Sequence, residues 1–119
     1  MTAFSVEFYE AKDGRQPVRD FLLQLEPKMR AKVMTYVELL RDNGNNLREP
    51  YSKHIQDGIF ELRTRQGSNI TRVMYFFYID RKIILTNGFT KKSQKLPRTE
   101  LERALKYRDD YTARMGEGQ

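Results

Sequence analysis

The sequence predicts an α+β fold: a mainly antiparallel sheet packed on helices on one face, in the order β-α-α-β-β-β-α. Three observations predict it. Residues 3–9 alternate apolar and polar side chains, the period of a half-buried strand. Residues 17–40 carry apolar side chains at helical spacing, in two runs that each begin at a proline. Residues 59–87 return to period two in runs separated by short turn signals, the pattern of an antiparallel meander.

In the first strand Phe4, Val6 and Phe8 share one side, and Asp13-Gly14 turns the chain. Pro17 suits a first helical turn because the N–H it lacks would have no partner there. Val18, Phe21, Leu22 and Leu25 then form one stripe. Glu26-Pro27 breaks that helix and opens a second, with Met29, Val33, Tyr36, Val37 and Leu40 on its apolar side. Asn43-Gly44 ends it, since glycine accepts the left-handed conformation of a helix C-terminus. So tight a connection makes a hairpin of helices. Within residues 59–65, Phe60 and Leu62 alternate with Glu61, Arg63 and Arg65, so Arg63 and Arg65 share the other face, which is expected to be open. Gly67-Ser68-Asn69 leads into a long apolar strand over residues 70–79, and Asp80-Arg81 into another over 82–87. A basic loop spans 88–96, and Pro97 opens a last helix that packs Leu101, Ala104, Leu105 and Tyr111. Residues Gly116 to Gln119 are expected to fray, closing a single domain over residues 1–119.

Length and composition narrow the class. A chain of 119 residues with 39% apolar side chains builds one modest core. There are no cysteines, which excludes disulfides and thiolate metal sites, and one histidine, His54, cannot build a histidine cluster alone. No metal and no cofactor are expected. With no long apolar run and no basic head before an apolar block, the expected setting is the reducing cytoplasm, away from membranes. The net charge is +6, and it is unevenly placed. Residues 1–50 hold eight basic and eight acidic side chains, so the whole excess belongs to residues 51–119. A lopsided basic half points to a polyanionic partner, nucleic acid first, against the plainer reading of solubility charge.

No phosphate-binding glycine loop, nucleophile elbow or zinc-protease helix is present. What remains is a set of cations in the sheet half. Lys53 and His54 precede the second strand, Arg63 and Arg65 lie on it, Arg72 lies on the third, and Lys91, Lys92 and Lys95 follow the fourth. Cations bind phosphates by charge and stabilise the added negative charge of a phosphoryl transition state. RNA cleavage needs no metal when the substrate's own 2′-OH attacks the phosphate; it needs proton carriers and cations around the phosphorane. A histidine side chain can exchange protons near neutral pH, which makes His54 a candidate, and a lysine crowded by other cations can give up its proton more readily. Each residue also has a plainer reading. His54 can be structural, Arg63 can pair with Glu61, Arg72 can form a buried ion pair, and Lys91-Lys92 can be a solvated run. Tyr75 to Tyr78 read as packing, as do Tyr107 and Tyr111.

The stretch from Gly58 to Arg63, followed by Arg72-Val73-Met74-Tyr75-Phe76, resembles the central hairpin of RelE-superfamily toxins. Residues 85–97, with Phe89-Thr90-Lys91-Lys92 leading into Pro97 and a helix carrying Glu100 and Ala104, resemble the phage-derived HigB-like branch. The likeness covers about residues 4–111. It implies a RelE-like microbial RNase fold and the toxin of a type II toxin–antitoxin pair. Such a toxin is a ribosome-dependent mRNA endoribonuclease that inhibits translation, neutralised by a HigA-like helix-turn-helix antitoxin. By likeness Arg63 contacts the scissile phosphate, with Lys53, His54, Lys91 and Lys92 as catalytic candidates and Arg65, Arg72 and Lys95 as RNA-binding ones. The C-terminus departs from RelE, which uses a tyrosine there, so the general base stays open. Two alternatives stand beside this: a ParE-like gyrase-inhibiting toxin and a non-catalytic RNA-binding protein on the same fold.

Overall fold

A computed structural model describes residues 4–90 and 95–117 of the chain. Five strands and three helices follow one another as β1 (Ser5–Phe8), α1 (Pro17–Gln24), α2 (Pro27–Asn43), β2 (Ser52–Gln56), β3 (Ile59–Gln66), β4 (Asn69–Tyr78), β5 (Lys82–Thr90) and α3 (Arg98–Glu117). Pro17 and Pro27 occupy the first turns of α1 and α2, and Gly44 caps α2 at φ 54°, where its N–H reaches the Leu40 carbonyl. The turns of the meander use left-handed residues, as tight hairpins between right-twisted strands require. Asp57-Gly58 joins β2 to β3 at φ 52° and 80°, Gly67 stands at φ 64° between β3 and β4, and Asp80-Arg81 joins β4 to β5 at 67° and 58°.

The strands form one mixed sheet in the order β1-β5-β4-β3-β2. Strands β2 to β5 are antiparallel neighbours, and β1 adds itself parallel to β5, with Ser5 opposite Lys82 and Phe8 opposite Leu85. The fold is α+β with a mainly antiparallel sheet. Two of its features go beyond the sequence pattern. The first is β2: Ser-Lys-His-Ile-Gln has no apolar alternation, and its pairing with β3 comes from the Asp57-Gly58 turn. The second corrects the expectation of helices on one face only: α3 lies on the opposite face from α1 and α2, because Ala104 and Tyr111 pack with Ile59, Met74, Phe76 and Ile84.

Each face therefore has its own core. On the first, Val18 and Leu22 of α1 and Met29, Val33, Val37 and Leu40 of α2 pack on Leu62, Val73, Tyr75, Ile83 and Leu85. On the second, Ala104 and Tyr111 of α3 pack with Tyr9 on Ile59, Met74, Phe76 and Ile84. Alternate residues of β3 and β4 serve alternate cores, which is the period of a strand expressed as packing. Close approach is set by glycine: a Cβ on Gly88 of β5 would lie 2.5 Å from Cδ2 of Phe21, and α1 sits down on the strand through that gap. Helix α3 runs to Glu117, and Gly118 and Gln119 lie outside the described residues.

Candidate nucleic-acid interface

Strand register assembles the centre of the site. Arg63 of β3 stands directly opposite Arg72 of β4, and Glu61 and Arg65 flank Arg63 on the same face because they are two residues away. Two guanidiniums side by side repel, and Glu61 resolves this. Its carboxylate is fully buried, its Oε2 accepts a hydrogen bond from Nε of Arg63, and its Oε1 lies 3.9 Å from Nη1 of Arg72. Arg72 is 2% exposed, whereas the Arg63 side chain is 29% exposed. The buried acid thus holds the inner edge of Arg63 and leaves its two terminal nitrogens without a partner among the described residues. A guanidinium oriented from behind in this way presents a planar donor edge to an anion.

That edge opens into a cleft of about 460 Å³ at the margin of the sheet, where β2 has ended and β3 runs on toward its turn. Lys32, Arg63, Arg65 and Arg72 supply four cations to its lining, and Tyr36, Pro50 and Tyr51 supply the apolar surface. Lys32 reaches across from α2 to donate a hydrogen bond to the Arg65 carbonyl. Tyr51 lies alongside Arg63, whose N–H donates to its carbonyl at 2.8 Å. The sequence reading missed Lys32, Tyr36 and Tyr51. The first two are one turn apart on α2, half-buried beside its core stripe, a spacing that could have marked them as neighbours of some other surface.

The other candidates divide. Arg65 and Arg72 join Arg63 in the cleft. Lys53 is exposed and stands opposite Glu61 on β2, so it shares the face of Arg63. His54, the next residue, stands opposite Phe60, touches that ring edge-on at 5.0 Å between centroids, and lies on the other face in a smaller hollow with Arg48, Ser52 and Tyr75. Lys95 is exposed ahead of α3. Lys91 and Lys92 lie outside the described residues. Tyr107 and Tyr111 are packing residues: Tyr107 stacks on Tyr9 at 4.7 Å, and Tyr111 donates to Glu7 at 3.0 Å between the second core and β1.

A site of this composition has the groups that could hold an anion such as a phosphodiester. Arg63 provides directed donors, Arg65 and Lys32 provide charge, and the tyrosines provide ring surface. Among the described residues no group of three or more histidine, cysteine, aspartate or glutamate side chains is placed to hold a metal ion. Nor is any described helix long and apolar enough to cross a membrane.

No curated protein sequence matches the chain. A family model does, over residues 20–109, from α1 through most of α3 and including every described residue of the cleft. That model describes the phage-derived Gp49-like proteins (DUF891), and the chain belongs to this toxin-like family, which is related to the RelE/HigB-type toxins.

Proposed function

We propose that the protein is the toxin of a type II toxin–antitoxin pair and acts in the cytoplasm as a ribosome-dependent, metal-independent mRNA endoribonuclease. The observation that carries this reading is the cleft in which Arg63, held from behind by buried Glu61, faces solvent beside Arg65 and Lys32. In the proposed reaction the substrate's 2′-oxygen bonds to the adjacent phosphorus as its proton passes to a base, and the bond from phosphorus to the 5′-oxygen breaks as a protonated side chain gives that oxygen a proton. Arg63 and Arg72 offset the charge of the phosphorane. Lys53 shares the face of Arg63 and is the proton carrier favoured by position, with Lys91 and Lys92 contributing from the segment after β5; His54, on the opposite face, contacts Phe60. Arg65 and Lys95 hold flanking phosphates. The neutralising partner is a HigA-like helix-turn-helix antitoxin.

Induced expression with mapping of transcript ends tests the reading. Wild type is expected to arrest growth and leave 2′,3′-cyclic phosphate and 5′-OH ends, only on translated messages. Arg63→Ala, checked for folding by circular dichroism, is expected to restore growth. Full toxicity of folded Arg63→Ala combined with Lys91→Ala and Lys92→Ala would sink the site, and 5′-phosphate ends would replace 2′-OH attack with water attack. A gyrase supercoiling assay run alongside separates the reading from a gyrase poison.

A further inference from the structure

The aromatic wall of the cleft is assigned no part in phosphate chemistry, and it carries a second inference that rests on the RNA reading above. Most tyrosine and phenylalanine side chains of the described residues are packed into one of the two cores. Tyr51 is different: it is 38% exposed, and it lines the same cleft as Arg63 and Arg65. Its ring is braced, because Tyr36 meets it edge-to-face, 5.3 Å between centroids at 78°. Its backbone is braced as well: its N–H donates to the Arg48 carbonyl at 3.0 Å and its carbonyl accepts from Arg63 at 2.8 Å. An edge-to-face pair covers at most one face of one ring, so ring surface remains for a third planar group.

We propose that Tyr51, braced by Tyr36, is the stacking platform for one unpaired nucleobase of single-stranded RNA whose backbone crosses Arg63 and Arg65. The four cations of the cleft select a polyanion over a neutral ligand. A fixed aromatic ring beside a cationic track is how single strands are held without regard to sequence. A duplex keeps its base faces stacked inside, so a strand with a splayed base is the form that uses both walls. The backbone hydrogen bond between Tyr51 and Arg63 sets the two residues side by side, and both side chains line the cleft, so a base stacked on Tyr51 would lie near a phosphate held by Arg63.

The test is binding of an unstructured 2′-O-methyl oligoribonucleotide, which cannot be cleaved through its 2′-oxygen, measured by fluorescence anisotropy over a range of salt. Tyr51→Ala is expected to weaken binding about tenfold with the salt dependence unchanged, and Tyr51→Phe to bind as wild type. Arg65→Ala is expected to weaken binding and lower the slope of log affinity against log salt by about 0.7. On an oligonucleotide of abasic residues, wild type and Tyr51→Ala are expected to bind alike. Wild-type affinity in folded Tyr51→Ala, or the same loss on the abasic strand, overturns the platform. If Arg65→Ala loses affinity while Tyr51→Ala does not, the platform alone falls and the cleft remains an RNA site. No binding by wild type at low salt, or no effect of Arg63→Ala and Arg65→Ala, removes both; an acidic peptide partner would give that result.

Discussion

Glu61 is the residue on which the site depends. It is buried between two arginines, and a buried pair is worth little beyond a well-packed apolar substitute, yet breaking one is costly. Glu61→Ala is therefore expected to destabilise the fold by about 3–5 kcal/mol, read as a lower urea midpoint. Glu61→Gln keeps an acceptor for Nε of Arg63 and is expected to lose less stability, while growth arrest drops because Arg63 is held less firmly. Equal stability of all three proteins would show that the carboxylate does not bear on the fold. The sequence places Glu61 and Arg63 two residues apart, and that pairing was readable. Arg72 becomes part of the cluster only through the register of β3 and β4, set by a two-residue turn at Gly67-Ser68 that spacing alone does not align. The split of Lys53 from His54 has the same origin: neighbours on a strand face opposite ways, and no sequence pattern identifies Ser52–Gln56 as a strand.

Among the elements, α1 and α3 show two ways of seating a helix. Helix α1 sits on β5 through the space left at Gly88, where a Cβ would meet Phe21 at 2.5 Å. Gly88→Ala is expected to cost about 1–3 kcal/mol by overpacking, and Phe21→Leu to recover part of that, so that the double variant is more stable in urea than the sum of the singles predicts. Helix α3 is instead tied to β1 by polar contacts. Tyr9, just after β1, donates to Asp110 at 2.6 Å, and Tyr111 donates to Glu7 of β1, while Arg114 pairs with the same Asp110 within α3 at 2.9 Å. Burial and the Asp110 carboxylate push Tyr9 up to about 12, burial and Glu7 push Tyr111 up, and the Tyr9 hydroxyl holds Asp110 below the usual carboxylate range. Folding thus makes Tyr9 and Tyr111 hold their protons more tightly than the unfolded chain does. Their contribution is complete below the ordinary tyrosine value of about 10 and is lost as pH rises through the raised values. Asp110 works the other way: its contribution is complete above about pH 4 and is lost as pH falls through its lowered value. Urea midpoints are expected to fall at both extremes, and Tyr9→Phe to flatten the alkaline limb; an unchanged limb would mean that the seam does not feel this proton. The prolines and apolar stripes made the helices readable, but the face chosen by α3 rests on these tyrosine contacts with β1, which have no period.

For the whole molecule, charge proved more readable than shape. The neutral stretch of residues 1–50 and the basic remainder pointed to the sheet half for a cationic surface, and Arg63, Arg65 and Arg72 of that half line one cleft. Yet Lys32 and Tyr36 come from the neutral stretch, because α2 is laid along β3, and that docking is tertiary. The parallel pairing of β1 with β5 has a consequence in time. At about 5–20 residues per second, roughly 4–15 s separate synthesis of Ser5 from that of Lys82, its partner. Until β3 and β4 are made, Met29, Val33, Val37 and Leu40 lack their partners Leu62, Val73 and Tyr75, and until β5 is made they lack Ile83 and Leu85. A fragment of residues 1–68, which lacks β4 and β5, is accordingly expected to be unfolded by circular dichroism and harmless when expressed, whereas a helical, soluble fragment would show that the helix pair folds without the centre of the sheet. Such a molecule matures late: a ribosome stalled before β5 has made every described residue that lines the cleft, but not the strand that joins β1 to β4 and completes the sheet beneath them.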